Sequence, residues 1–199
     1  VSVSDKFGNT ITSQSTSVEL LLDEELNKNE WTLPPAGFSL GGIVQANGSH
    51  ETGDMNEIID GITEATEFQN FYLTNEPNPW SIIIDLGSEK ELSRIVTHQR
   101  YTGEQSGSEQ GNYYRGENVL AYNIYIWDNE LEAWEFVSRN DILSPVVKQT
   151  SDYKLLGDEG DEAFFYPEEP QFSRSTRYFR FEAIRGRYIS EITLYGKPD

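Results

Sequence analysis

The sequence predicts an all-β fold, an antiparallel sandwich or barrel. Apolar and polar residues alternate in short segments, helical periodicity is nearly absent, and polar turn residues separate the segments. The alternating segments are WSIIIDLG (80–87), LSRIVTHQ (92–99), AYNIYIWD (121–128), AWEFVS (133–138), TRYFRFEAI (176–184) and ISEITLYG (189–196). Short strands without intervening helices are typical of antiparallel sheets that pack face to face.

The segments between these strands have sequences that predict turns, loops and brief helices. SEKE (88–91) is predicted to be a turn between the first two strands, and LPPAGFSLGG (33–42) a Pro/Gly loop. Brief helices are predicted within LLDEELNKN (21–29) and NEIIDGI (56–62). The tryptophans beside or within apolar strands, Trp80, Trp127 and Trp134, are assigned to the core or its rim.

The first 25 residues differ from the rest of the chain. DKFGN (5–9) contains residues that favour a turn. SQSTSVELLL (13–22) has the pattern of a strand, but no obvious partner strand lies nearby in the sequence. We therefore assign residues 1–25 to a linker or to the last strand or hairpin of a preceding domain, and residues 26–199 to a single β-sandwich domain. The chain starts at Val1 and its one methionine is Met55, so we expect a piece of a longer protein with neighbouring domains.

Composition excludes several classes of partner. The 199 residues include 34 Asp and Glu against 15 Lys and Arg, a formal net charge of -19. Such a charge repels nucleic acids and anionic membrane surfaces, and no apolar run is long enough to span a bilayer. There is no cysteine, which excludes disulfides and thiolate chemistry.

The arginines near the C-terminus are interpreted as a solvated basic strand pair beside the acidic stretch 157–170; they are Arg174, Arg177, Arg180, Arg185 and Arg187.

The region from Asp60 to Gly196 resembles the discoidin, or coagulation factor 5/8 type C, domains of the galactose-binding-like group. The resemblance rests on an ordered set of segments: DGITEATEF (60–68), PWSIIIDLG (79–87), LSRIVTHQR (92–100), AYNIYIWD (121–128), YFRFEAI (178–184) and ISEITLYG (189–196). HQRY (98–101), NYYRGEN (112–118) and DKFGN (5–9) resemble C-terminal modules of surface lipoproteins from Bacteroidetes polysaccharide-utilisation clusters. The resemblance implies a jelly-roll sandwich at a bacterial cell surface, or in the periplasm.

The same resemblance implies a structural calcium ion in some members. The matching positions are Asp60, Thr66 and Glu191. A hard cation takes six to eight oxygen ligands, which carboxylate, hydroxyl and carbonyl groups from two loops can supply. Many members carry a second acidic residue where this chain has Ile62. Without a metal, Asp60 would be an ordinary turn residue and Glu191 an exposed strand carboxylate.

The connection at 99–118 is the candidate ligand-binding loop, because long loops in compact domains tend to be functional. A sugar offers a CH-bearing face for an aromatic ring and hydroxyls for directed hydrogen bonds. The candidate ligand-binding residues are His98, Arg100, Tyr101, Asn112, Tyr113, Tyr114 and Arg115. Each of these residues could instead have a structural role. His98 could be an ordinary strand histidine, Arg100 could form an ion pair, and one of the two adjacent tyrosines could pack the loop against the domain.

These features predict a non-catalytic carbohydrate-binding module whose partner is a glycan or polysaccharide. The alternative is a protein-interaction or spacer module that positions neighbouring domains. A glycoside hydrolase ranks third, since 34 acidic residues make some suitably spaced pair inevitable. No HExxH, GxSxG or P-loop motif occurs in the sequence.

Overall fold

Antiparallel strands make up most of the protein in the computed structural model. The structure describes residues 2–4, 10–12, 24–47, 55–62, 72–98, 119, 121–141, 161–164 and 174–197. These residues form the strands β1 (Ser2–Ser4), β2 (Thr10–Thr12), β3 (Glu24–Glu25), β4 (Ser39–Leu40), β5 (Ile43–Val44), β6 (Tyr72–Leu73), β7 (Trp80–His98), β8 (Ala121–Asp128), β9 (Ala133–Asp141), β10 (Asp161–Phe164), β11 (Arg174–Arg185), β12 (Tyr188–Ile189) and β13 (Glu191–Gly196). Two 3₁₀ turns span Lys28–Glu30 and Met55–Ile59.

The main strands form two layers that share β7. In the first layer β9, β8 and β11 are neighbours, and β11 pairs with the first half of β7. In the second layer the other half of β7 lies between β13 and β10, and β3 extends this layer beyond β13. All of these pairings are antiparallel. The predicted antiparallel β-sandwich is confirmed.

Strand β7 passes from one layer to the other where the sequence predicted a turn. Its register with β11 skips from Asp85 to Lys90, and Gly87 has φ +80° in the intervening residues. Residues 86–89 thus form a bulge in a continuous strand, and Lys90 and Glu91 of SEKE pair with Thr176 and Ser175 of β11 instead of reversing the chain. Turn-forming residues suit both structures, because each needs an irregular backbone at that point.

The core lies between the two layers and is built from the predicted alternation. Ile82, Ile84 and Leu86 of β7 are buried in one apolar cluster with residues of the second layer, including Ile192 and Leu194. Beside them in the first layer, the same cluster contains Tyr122, Ile124, Ile126, Phe179 and Phe181 from β8 and β11. The Tyr122 and Phe181 rings lie 4.7 Å apart, centroid to centroid. Alternate residues of β8 and β11 therefore point away from this core.

The tryptophan assignments are confirmed, since Trp80 and Trp127 are buried and Trp134 is partly buried. Trp127 and Trp134 pack edge to face, with their ring centroids 5.3 Å apart. Gly41 of the β4–β5 hairpin lies against both rings, and the Trp134 indole Nε1–H donates to the Leu40 carbonyl at 2.9 Å. The hairpin is thereby held against the outer side of β8 and β9.

The brief helix predicted within 56–62 is present as a 3₁₀ helix, whereas the one predicted within 21–29 is wrong for most of the described residues there. Within 21–29, Glu24 and Glu25 form the edge strand β3 on β13, and a 3₁₀ turn starts at Lys28. Within 56–62, the chain makes the 3₁₀ turn Met55–Ile59, with Ile58 buried. Sheet pairing overrides local helix preference at β3.

At the N-terminus, β1 and β2 form a separate hairpin whose connection includes DKFGN. This agrees with the turn chemistry, while the domain boundary near residue 25 stays a prediction. No helix among the described residues is long and apolar enough to cross a membrane.

Candidate functional site

Of the candidate ligand-binding residues, the structure describes His98, the last residue of β7. The side chain of His98 is 7% exposed, and its carbonyl accepts a hydrogen bond from Ser190 N at 2.8 Å. His98 therefore lies within the second layer, opposite Glu191 of β13. The other candidates lie outside the described residues: Arg100, Tyr101, Asn112, Tyr113, Tyr114 and Arg115.

Two of the three predicted calcium ligands lie close together, and Thr66 falls outside the described residues. Glu191 is fully buried, so it is not the exposed strand carboxylate expected in the absence of a metal. Its Oε2 accepts a hydrogen bond from Gly61 N at 3.1 Å, which brings the Asp60–Gly61 turn against β13. Asp60 itself is exposed, and its Oδ1 accepts from Ile62 N at 2.7 Å. Asp60 thus serves as a turn residue at the rim of this site.

Lys28 supplies a positive charge at the same place. Its ammonium group contacts Glu191 Oε1 and donates to Thr193 Oγ1 at 2.9 Å. Burial raises the pKa of Glu191 to about 7, although the Lys28 charge, its hydrogen bond and the Gly61 N–H all lower it. Desolvation outweighs these favourable contacts because the carboxyl group has no exposed surface.

The oxygen atoms of the described residues, in their present arrangement, do not fit a calcium ion. Both Glu191 oxygens already have hydrogen-bond donors, Asp60 Oδ1 has another, and an ammonium group repels a divalent cation. Within the described ranges, no three His, Cys, Asp or Glu side chains gather closely enough to hold a metal ion. The calcium prediction itself stays untested, since Thr66 is part of it.

A second polar region lies on the side of the first layer that faces away from the core. Here a groove of about 370 Å³ runs between the β4–β5 hairpin with its following residues, 42–46, and the segment 76–79. Its floor consists of Trp80, Ser81, Arg180 and Glu182. We call it the outer-face groove. Its volume is within the range of small-ligand sites.

Arg180 is the central charged residue of the outer-face groove. Its side chain is 6% exposed, and its guanidinium stacks on the Tyr125 ring, 4.1 Å from the centroid. Arg180 Nε–H donates to Ser81 Oγ at 3.0 Å, and Nη2 donates to Glu182 Oε1. Burial lowers the pKa of Arg180, but a guanidinium stays charged in proteins. The guanidinium is therefore held in one orientation.

Glu182 ties Arg180 to β8. Its Oε2 accepts from Asn123 Nδ2 at 2.7 Å and from the Tyr125 hydroxyl at 3.0 Å. Burial, together with the hydrogen bond to Glu182 and its negative charge, raises the pKa of Tyr125, so this hydroxyl keeps its proton at neutral pH. Asn123 Oδ1 is buried and has no hydrogen-bond partner in the described part of the protein. The network is thus anchored on β8 as well as β11.

Sequence reasoning placed Arg180 among solvated arginines and missed this network. The usable signal was the segment YFRFEAI (178–184), in which Arg180 and Glu182 alternate with the core residues Phe179 and Phe181. Opposite charges two residues apart on a strand share a face and can pair. Lys28 was also missed, because its partner lies 163 residues further along the chain.

Comparison with known proteins relates the chain to one family and to several solved structures. A family model described as DUF5000, domain of unknown function, matches residues 59–196. No curated protein matches the chain significantly in sequence.

Three solved structures illustrate the structural likeness. A SusE-like protein has a TM-score of 0.66 at 18% identity, covering 98% of this chain and 74% of that one. The family 32 carbohydrate-binding module of Clostridium perfringens NanJ, solved with galactose, has a TM-score of 0.57 at 15% identity, covering 87% and 99%. Another family 32 module, from a family 31 glycoside hydrolase of C. perfringens, has a TM-score of 0.54 at 18% identity, covering 87% and 95%. The predicted galactose-binding-like fold is confirmed.

Proposed function

The chain belongs to the DUF5000 family, and from its fold we propose that it is a non-catalytic carbohydrate-binding module of a bacterial cell-surface glycan-utilisation protein. The observation that carries this proposal is the likeness to the galactose-bound family 32 module, nearly all of which this chain covers. The likeness to a SusE-like protein supports the cell-surface setting. The partners in this proposal are a glycan or polysaccharide and the neighbouring domains of a longer lipoprotein.

The proposed binding site is the 99–118 loop. One of Tyr113 and Tyr114 stacks on a sugar ring, while Arg115 and Asn112 hydrogen-bond its hydroxyls. Arg100 and Tyr101 contribute from the start of the loop. His98 is buried, so its part is to fix the end of β7 from which the loop departs.

Affinity for a single sugar is expected to be weak, roughly millimolar to micromolar, because an open site buries little surface and sugars give up good hydration. Several modules on one surface protein raise the overall affinity by avidity. The net charge of -19 makes neutral glycans better ligands than highly anionic ones. Where a calcium ion would stiffen the adjacent loop through Asp60, Thr66 and Glu191, Lys28 places a cation against Glu191.

A glycan-array screen followed by affinity electrophoresis in polysaccharide gels tests the proposal. The variants Tyr113→Ala, Tyr114→Ala and Arg115→Ala are compared with Phe136→Ala, which removes an exposed ring on β9. We expect at least one loop variant to lose binding by about tenfold or more and Phe136→Ala to keep it.

Two results would contradict the proposal in different ways. Binding that is unchanged in all three loop variants refutes the placement of the site. A wild-type protein that binds no glycan refutes the function and favours the spacer or protein-interaction alternative.

A further inference from the structure

We propose that the outer-face groove is a second saccharide-binding site, separate from the 99–118 loop and suited to a neutral, hydroxyl-rich ligand. This inference rests on the proposed function, because it takes the same class of ligand. Among the residues that the structure describes, those lining the groove come from β7, β11 and the segments 42–46 and 76–79.

The first argument is the fixed set of donors on Arg180. A guanidinium carries five N–H groups, and Arg180 uses two of them on Ser81 and Glu182. The remaining three have no protein partner within the described residues, although the side chain is only 6% exposed. No Arg180 nitrogen is both buried and without a partner, so these remaining N–H groups meet open space at the groove, where they need a hydrogen-bond acceptor. Water fills that role in the free protein, and sugar hydroxyls can replace it.

The second argument is the presence of acceptors next to these donors. Glu182 lies beside Arg180 on the floor, and Glu76 lies on the wall formed by 76–79. Each hydroxyl of a sugar both donates and accepts, so neighbouring hydroxyls match a guanidinium that stands next to a carboxylate. Because Asn123 and Tyr125 hold Glu182 in place, these groups need little reorganisation on binding.

The third argument is charge. The floor and walls carry one guanidinium and two carboxylates, Glu182 and Glu76. An anionic ligand meets this excess negative charge as well as that of the whole chain. A cationic ligand meets the free N–H groups of Arg180. A neutral ligand avoids both penalties.

The walls also provide apolar surface for the CH groups of a sugar. Val44 is 56% exposed at one rim, and Pro77 and Pro79 face it from the other wall. Trp80 is too deeply buried to stack on a ligand, but its indole Nε1–H donates to Gly186 O at 2.9 Å. The Trp80 ring lies in the apolar core, so the backbone amides of the lining residues are the reporters for the groove.

The experiment is a titration of ¹⁵N-labelled protein with galactose, with N-acetylglucosamine and with the polysaccharide that binds best on the array. We expect the backbone amides of 42–46, and those of Glu76, Asn78, Trp80 and Ser81, to shift saturably. Val44→Glu places a carboxylate at the rim and should abolish these shifts, or weaken binding at least about 10-fold. Leu131→Glu makes the same change at an exposed position outside the groove and should leave them intact.

Arg180 is tested by two further variants. Arg180→Lys keeps the charge but removes the fork of donors, and it should weaken groove binding at least about 10-fold if circular dichroism shows a folded protein. Since Arg180 is buried, Glu76→Gln serves as a second variant at an exposed position. It should weaken binding roughly 3- to 10-fold without a loss of folding.

Each outcome decides between the two proposals. Groove shifts that persist in Tyr113→Ala and disappear in Val44→Glu support a second site. Sugar-induced shifts that spare the groove and vanish in the loop variants overturn the second site and leave the proposed function standing. Shifts in neither place, with every probe, overturn both.

Discussion

The ammonium group of Lys28 contacts the carboxylate of Glu191, which is fully buried in β13. The same ammonium donates to Thr193 Oγ1, and the other carboxylate oxygen accepts from Gly61 N. One carboxyl group thereby joins the 3₁₀ turn at Lys28–Glu30, the loop after Met55–Ile59 and the second layer of the sandwich. The ion pair thus helps to fix the relative positions of these segments, together with the pairing of β3 with β13.

Removal of Lys28 should therefore be costly. Lys28→Met leaves Glu191 buried without its counter-charge, and we expect a loss of about 3 kcal/mol or more in the free energy of unfolding near pH 8. Lys197→Met removes an exposed partner of Glu91 at 3.5 Å and should cost less than about 1 kcal/mol. Urea denaturation of both variants measures the difference. Equal losses would mean that the buried ion pair adds no stability.

Stability should also depend on pH through Glu191. Its pKa rises from 4.5 to about 7 on folding, chiefly because the carboxyl group is buried. Between these values the folded protein keeps a proton that the unfolded chain has lost, so this contribution is complete below about pH 4.5 and is lost as the pH rises through 7. The loss is on the order of 3 kcal/mol.

The comparison that isolates this effect is Glu191→Gln, which cannot titrate. The free energy of unfolding is measured by urea denaturation from about pH 5 to about pH 8 for both proteins. We expect the wild type to lose stability relative to the variant across this range. Parallel curves would assign the pH dependence to the other carboxylates.

Calcium should leave the wild-type protein unchanged. Lys28 already neutralises Glu191, so the melting temperatures in calcium and in EGTA should agree within about 1 °C. In Lys28→Ala the carboxylate loses this cation, and added calcium should then raise the melting temperature. A saturable rise in the wild type would mean that the ammonium gives way to the metal, in agreement with the sequence resemblance.

The alternation of apolar residues was enough to predict the main strands and the core faces of β7, β8 and β11. It could not predict the bulge between Asp85 and Lys90, because a bulge and a turn use the same polar residues. It also could not predict β3, whose pairing with β13 overrides local preference. The polar contacts were harder still, since Arg180 binds Ser81 from 99 residues away. Sequence spacing carries no information on such partners.

The two glycines of the β4–β5 hairpin should respond differently to alanine. Both have positive φ, +56° at Gly41 and +78° at Gly42, so each substitution costs about 1 kcal/mol in backbone strain. A Cβ at Gly41 would also lie 2.5 Å from the Trp127 ring, whereas a Cβ at Gly42 meets nothing within 4 Å. We expect Gly41→Ala to lose about 1–3 kcal/mol more than Gly42→Ala.

Tryptophan fluorescence during urea unfolding checks this difference. A lifted hairpin exposes Trp127 and Trp134, so the native emission of Gly41→Ala should shift to longer wavelength. Gly42→Ala should keep the wild-type spectrum. Identical stabilities and spectra would mean that the hairpin can move away from the rings at little cost.

Glu24 of β3 is the register partner of Gly196 of β13, so these two positions are neighbours at one edge of the second layer. Tension applied between these two positions breaks the β3–β13 hydrogen bonds one after another. Pairs loaded in that way yield at lower force than pairs pulled along their length. Under tension applied between residues 24 and 196, this edge is where mechanical yielding would begin.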